Sequence, residues 1–395
     1  EPLMSKRCQE ICCMIKWGRQ KGVYMETENK FTKENTLAVK GIAIFFLLTY
    51  HCLSSSERLH GATVSFFPLS QDDAMLIARC METCVGLFAF LSVYGMTLSV
   101  KKKYADFEFT AGEATFFTVK RYLHLVFTFL LPYIFCVGVT VVLGSRGYGD
   151  GIFRDILDGV MDILCVSHLF GTTKLITTWW YLSLEVLLIV FFPLALKLHR
   201  KFNYLMIFVF LMIGSRFLPA HEYMTKYLLV IPLGICFADG QIFERLKSYR
   251  FIKNPVMNKL FKFVLLTVLT SALYYLFDSQ WGREHFEFAL NGVLPVLVIC
   301  WGYEFFIELP VIRQVLQFIG KHSAVIFYIH NFVRSRWLPG RTYSFPYAWQ
   351  ILLFVLGVSL GLAICLDLIK RILHYDWLTG RVTDRVVGYL ERVLG

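Results

Sequence analysis

The chain has 395 residues, 56% of them hydrophobic and only 17% charged, and a mean hydropathy of +0.55. A water-soluble globule has no way to hide that much apolar surface, so the composition excludes one and points to an all-α, polytopic transmembrane helix bundle. The net charge of +11 calls for no nucleic acid, because the basic residues form no groove and bilayer orientation with anionic headgroups accounts for them.

In chain order, residues 1–35 are polar and basic, too polar for a signal peptide, and read as a cytoplasmic segment ahead of a retained first span. Cys8, Cys12 and Cys13 lie there with no histidine nearby to complete a zinc set, so reduced thiols are expected. A span needs about 20 apolar residues. About ten are expected, over residues 36–53, 82–100, 121–143, 178–197, 203–218, 225–240, 260–277, 288–306, 322–338 and 349–370. The fifth and sixth are short enough to form a re-entrant pair instead. Together, residues 36–370 read as one transmembrane domain. Segment 152–170 has the pattern of a surface helix, and 371–395 that of an amphipathic tail, with Val382, Val386, Leu390 and Val393 at helical spacing. With the N-terminus inside, 28 of the 40 lysines and arginines fall in cytoplasmic segments and 11 opposite. The positive-inside rule therefore places both termini in the cytoplasm with an even number of spans.

Cys136, Cys236, Cys300 and Cys365 lie in apolar spans and read as small packing residues. Cys80 and Cys84 are four apart on one helix, a poor geometry for a disulfide. No cluster suggests a metal site.

Ionisable groups inside spans are expensive and mark sites by default. Lys40 and His51 stand eleven residues apart in LAVKGIAIFFLLTYHCL. At about 100° and 1.5 Å per residue they share one helical stripe, about 16 Å apart along it. Glu185 sits in TWWYLSLEVLLIVFFPL and His330 in IGKHSAVIFYIHNFV. Asp239 and Asp367 fall nearer span ends. Histidine suits proton transfer near neutral pH, and Glu185 is a carboxylate able to orient one. Each residue also has a bland reading: a helix-to-helix hydrogen bond, or a Lys40 side chain reaching the headgroups. A proton-coupled transporter or flippase built on these groups stays open beside an enzyme.

The ordered pieces resemble acyltransferase family 3, the integral-membrane O-acyltransferases of bacterial surface glycans. The first span of that family has a basic residue, ten residues, then histidine, matched by Lys40 and His51. A phenylalanine-rich run ending in serine and glycine is matched by GLFAFLSVYGM, with Phe88, Phe90, Ser92 and Gly95, although Val93 and Tyr94 separate the last two. A basic helix start followed by proline is matched by Arg121 and Pro132, with His124 where a second arginine is common. TTWWYLSLEV and FIGKHSAVIFYIHNF resemble two later motifs, the second through Gly320, Ser323, Tyr328 and His330.

The resemblance implies a donor, typically acetyl-coenzyme A, taken from the cytoplasm, and an acceptor sugar hydroxyl at or beyond the outer face of a bacterial cytoplasmic membrane. Lys40, Arg121 and Lys120 would then meet the donor phosphates. His51 is expected as the base or as an acyl carrier, Glu185 as its orienter, and His330, Tyr181 or Ser92 as oxyanion or acceptor contacts. Trp179, Trp180 and Tyr181 are expected either to stack on the sugar or to form an interfacial aromatic belt. Some relatives carry an esterase-like domain that these residues lack, so a separate outer-face partner is expected.

Overall fold

The computed structural model describes residues 30–104, 107–144, 147–149, 151–217 and 223–394; the expectations for residues 1–29, including the three N-terminal cysteines, lie outside them. The described residues are 81% helical with no strand. In chain order the helices are α1 (Lys33–Leu53), α2 (Gln71–Cys80), α3 (Cys84–Lys103), α4 (Ala111–Val142), α5 (Ile152–Ile163) and α6 (Trp180–Phe202). Then come α7 (Leu205–Phe217), α8 (Val230–Asp239), α9 (Ile242–Ser248), α10 (Pro255–Asp278) and α11 (Gln280–Trp301). The chain closes with α12 (Pro310–Lys321), α13 (Ser323–Phe332), α14 (Pro339–Thr342), α15 (Ala348–Ile372) and α16 (Tyr375–Leu394).

Among the described residues seven helices are long and apolar enough to cross a membrane, or eight if the pair Thr225–Asp239 and Ile242–Ser248, bent by 62°, counts as one span. Seven of the expected ten are full-length spans; 225–240 forms a 3-10 turn and the ten-residue α8, which reaches span length only together with α9, and two more fall short. Over 203–218 the chain forms α7 of 13 residues, about 20 Å long against a hydrocarbon core of about 30 Å. Over 322–338 it forms the ten-residue α13 and then a five-residue π-helical turn, Val333–Trp337. An apolar run sets the solvent of a segment; where the helix breaks depends on local hydrogen bonds that the run does not reveal.

Local signals explain the helix starts. Thr32 caps α1 by accepting from the Asn35 N–H, with Glu34 in the first turn facing the positive helix end. Thr110 and Glu113 form a capping box at α4. Asn254 caps α10, and Pro255 supplies the preset first helical residue.

The end of the bundle where α1 begins is called its base, and the end with His51 its top. At the base Phe31 packs its ring against Phe243, Tyr303 and Tyr94 at 4.9, 5.1 and 5.5 Å. Lys101 there pairs with Asp239 at 2.8 Å and Lys262 with Glu304 at 3.1 Å. Arg79 reaches Asp278 at 2.9 Å at the top, where Lys226 bridges Glu82 and Glu287 at 2.9 and 3.3 Å. Exposed apolar side chains ring the outside on α4, α7, α10 and α15, among them Ile134, Phe208, Val268 and Leu353. The helix α5 is inverted for a water-facing one: Ile152, Phe153 and Ile156 are exposed, while Asp158 and Asp162 are buried. The tail helix α16 docks on α4, where Tyr375 Oη donates to the Phe127 carbonyl at 2.8 Å.

The contact that positions the site is between α1 and α12. A Cβ on Gly41 would stand 2.2 Å from the Leu316 carbonyl oxygen, and one on Gly320 would stand 1.8 Å from that of Leu37. The two backbones therefore touch, the close approach that small residues allow between membrane helices. From Gly41 to His51 and from Gly320 to His330 is ten residues in each case, about 15 Å along α1 and a matching stretch from the end of α12 through His322 into α13. Two helices in register at the lower point bring their histidines together at the upper one.

The eight cysteines among the described residues are free, Cys80 and Cys84 included. Cys136 and Cys236 are buried as packing residues, Cys300 is partly buried, and Cys365 is exposed on the outer surface of α15, correcting its reading as a packing group. At Asp367 a carboxylate oxygen lies 2.9 Å from His322 Nδ1.

Candidate active site

At the top of the bundle the His51 and His330 rings meet with centroids 5.1 Å apart and planes inclined by 46°. His330 is fully buried and His51 partly so. The His330 Nδ1 atom faces the carbonyls of Phe327 at 2.8 Å and Ile326 at 3.2 Å, and its Nε2 is buried with no hydrogen-bond partner. Arg58, on the short 3-10 turn Ser56–Leu59, places Nη1 2.9 Å from His51 Nδ1 and 3.2 Å from the His51 carbonyl. Its guanidinium lies 4.7 Å above the Tyr50 ring. A second arginine closes the other side. In the π-helical turn after α13, Arg334 donates to Asn331 Oδ1 at 3.0 Å and to Tyr343 Oη at 3.1 Å. Tyr343 in turn donates to the Cys52 carbonyl at 3.4 Å, tying this turn to the end of α1. Such π-helical turns recur at functional sites.

Below the imidazoles lies a second polar group. Ser92 of α3 donates to Glu185 Oε2 at 2.8 Å, Tyr181 donates to Oε1, and the Lys40 ammonium lies within electrostatic reach of the same carboxylate. The structure thus joins Ser92, Tyr181 and Glu185 into one hydrogen-bonded cluster, with Lys40 acting on it only at longer range. The hydrogen bonds of Glu185 go to these partners; the contacts that orient His51 come from Arg58 and those that orient His330 from its own helix. Rings link the two levels: Tyr181 touches Phe327 at 5.1 Å, Phe88 touches Phe327 at 6.1 Å, and Phe327 touches His330 at 6.1 Å.

Arg121 stands nearer the base. It donates to Ser99 Oγ at 2.8 Å, and its guanidinium lies 5.3 Å above the Phe117 ring. Ser92 and Ser99 are seven residues apart on α3, so they share a face about 10 Å apart. Lys120, beside Arg121, is exposed. An apolar recess lined by Val100, Tyr104, Phe109, Phe117 and Phe192 opens between the base ends of α3, α4 and α6; it is remote from the imidazoles.

The three adjacent aromatics part company. Trp179 is buried, donates Nε1–H to the Tyr328 carbonyl at 3.2 Å and packs edge-on to Phe129 at 4.8 Å, so it holds the bundle. Tyr181 is spent on Glu185. Trp180 is half-exposed, stacks on Tyr227 at 6.1 Å and meets Tyr223 at 5.6 Å, which leaves it the one of the three with a ring edge open at the top.

Compared with known families, the chain matches the acyltransferase 3 model, described as an acyltransferase domain, over residues 38–370. It belongs to acyltransferase family 3. No curated protein and no solved structure matches it significantly. As a member of acyltransferase family 3 carrying several membrane-spanning helices, the protein is a membrane acyltransferase, which favours acyl transfer over the transport that the sequence left open. The matched span holds Lys40, His51, Ser92, Arg121, Glu185 and His330 together. Sequence reasoning missed Arg58, Arg334 and Tyr343. Arg58 follows His51 by seven residues, beyond the apolar run, where an arginine carries no signal. Among the described residues no group of three or more His, Cys, Asp or Glu is placed to hold a metal ion.

Proposed function

We propose that this acyltransferase moves an acyl group, acetyl in the first instance, from cytoplasmic acyl-coenzyme A to a hydroxyl of a cell-surface or lipid-linked glycan. The base of the bundle faces the cytoplasm of a bacterial cell, both termini lie on that side, and α7 and α12–α13 complete the crossing as partial spans. The basic residues collected in the base loops support that orientation. Residues 36–370 form the catalytic unit, flanked by a cytoplasmic segment and the α16 tail.

The donor phosphates stop at Arg121 and Lys120, the pantetheine arm passes Lys40, and the thioester lies along Phe88, Tyr181 and Phe327 below the imidazoles. The acceptor comes from the top, over Trp180, with membrane lipid around it and a separate outer-face partner handling the polymer. Transfer needs a base for the hydroxyl proton and a donor for the oxyanion that forms at the thioester carbonyl. His51, the group expected in the first role or as acyl carrier, shares the task with His330, and the closed bundle around them keeps water from the thioester.

The observation that carries this reading is the meeting of two imidazoles, one fully buried, 5.1 Å apart at the end of the helix that also bears Lys40. The test is acetyl-coenzyme A with envelope glycan and purified protein in nanodiscs, scored by thiol release and base-labile acetyl ester. The His51→Ala variant should insert and melt normally yet make ester at least about 10²-fold more slowly. Full turnover by that variant would remove His51 from the reaction.

A further inference from the structure

Arginine has N–H donors and no acceptor. The nitrogen that Arg58 Nη1 approaches at 2.9 Å, His51 Nδ1, therefore accepts, and a neutral His51 carries its proton on Nε2. His330 is the reverse case. Its Nδ1 faces two carbonyl oxygens at 2.8 and 3.2 Å, which only accept, so Nδ1 carries the proton and Nε2 keeps the lone pair. That lone pair is buried and unpartnered, a state that costs stability unless a substrate hydroxyl fills it. The pair is thus differentiated: one ring presents an N–H, the other a free nitrogen.

We propose that Arg58 is a positioning residue that fixes His51 as an Nε2–H donor, and that the proton acceptor of the reaction is Nε2 of His330. This rests on the acyl-transfer reading above and assigns roles within it. Arg58 is well placed for the task, since the Tyr50 ring, the His51 carbonyl and the His51 imidazole all hold it. In the step, the acceptor hydroxyl gives its proton to His330 Nε2 as its oxygen bonds to the thioester carbonyl carbon. The His51 Nε2–H steadies the oxyanion. When the oxyanion collapses the carbon–sulfur bond breaks, and the leaving thiolate takes the proton back from His330. Products are the ester and coenzyme A thiol, with both imidazoles neutral again. The same lone-pair count leaves His51 no free nitrogen with which to carry an acyl group.

The test compares amide and alanine replacements, because glutamine can replace an N–H donor but not a base. In the nanodisc assay, with acyl-coenzyme A binding measured on each variant, H51Q should exceed H51A by about tenfold or more, within the 10²–10³ of an oxyanion donor. H330Q should be as inactive as H330A, each at least about 10²-fold below wild type. R58M should lose about tenfold in kcat with KM for the donor unchanged, and R58K, which still donates to Nδ1, should recover most of it. An H51Q variant as inactive as H51A, an active H330Q, or an R58M with wild-type kcat would each overturn the assignment. Absence of any turnover by wild type would instead strike the acyl-transfer reading itself.

Discussion

Replacing Gly320 by alanine adds one methyl group at the point where α12 lies on α1. Its Cβ would sit 1.8 Å from the Leu37 carbonyl oxygen, 2.7 Å from the Leu37 carbonyl carbon and 3.0 Å from the Gly41 nitrogen. A carbon and an oxygen rest no closer than about 3.3 Å, so the helices must part by about 1.5 Å. These atoms are backbone and cannot swing aside as a side chain would. Because only His322 separates α13 from α12, much of that shift reaches His330 and opens its 5.1 Å contact with His51. Overpacking costs about 1–3 kcal/mol, a fall of several degrees in Tm. Misplacing reacting groups by about 1 Å costs about 10²-fold in rate. The assay is acyl transfer in nanodiscs beside a thermal melt of the same preparation. Gly320→Ala should bind acyl-coenzyme A, melt lower and turn over about 10²-fold more slowly. Wild-type kcat and Tm in that variant would refute the claim that the glycine contact sets the distance between the imidazoles.

Lys40→Ala should raise KM for acyl-coenzyme A about tenfold, as befits a lost charge-assisted contact, while the double variant Lys40→Met with Glu185→Gln should melt higher than additivity of the single variants predicts; strict additivity would show that the two charges do not interact. Trp179→Ala should lose about 3–5 kcal/mol of stability, whereas Trp180→Ala should keep its fold and raise KM for the acceptor alone, as kinetics with both substrates varied would show. Burial pushes the Asp162 carboxyl above the usual carboxylate range, against hydrogen bonds from the Leu175 N–H and Tyr148. An acid whose folded pKa is raised contributes its stability below the unfolded value, about 3.9, and loses it as pH rises through the folded one. Melts across pH should therefore show a decline that Asp162→Asn removes, and an unchanged profile in that variant would clear Asp162 of the effect.

The parts of this site that depend on helical period were readable in the chain. Lys40 and His51 share a stripe because eleven residues close three turns, and α1 carries both toward partners. Period says nothing about what a neighbouring helix brings. Glu185 was recognisable as an expensive carboxylate, but that its partners are Ser92 and Tyr181 rather than an imidazole follows from how α3 and α6 pack. Gly41 and Gly320 look like ordinary membrane-helix glycines until the backbones are seen to touch. Trp179 and Trp180 are adjacent and alike in sequence; one turns into the bundle and the other out of it, which a short 3-10 entry to α6 decides. Span lengths were overread at α7 and α13, since α7 starts only after the break at Asn203 and the helix passes after Phe332 into a π-helical turn carrying Arg334 and Arg336.

The most direct measurement is a structure of the protein with an unreactive acetyl-coenzyme A analogue whose thioester sulfur is replaced by a methylene-linked ketone. The account predicts phosphates within hydrogen-bond reach of Arg121 or Lys120, and a ketone carbon about 3.5 Å from the nearer imidazole nitrogen. An analogue bound with its phosphates at the Trp180 end, or with its ketone away from both His51 and His330, would contradict it.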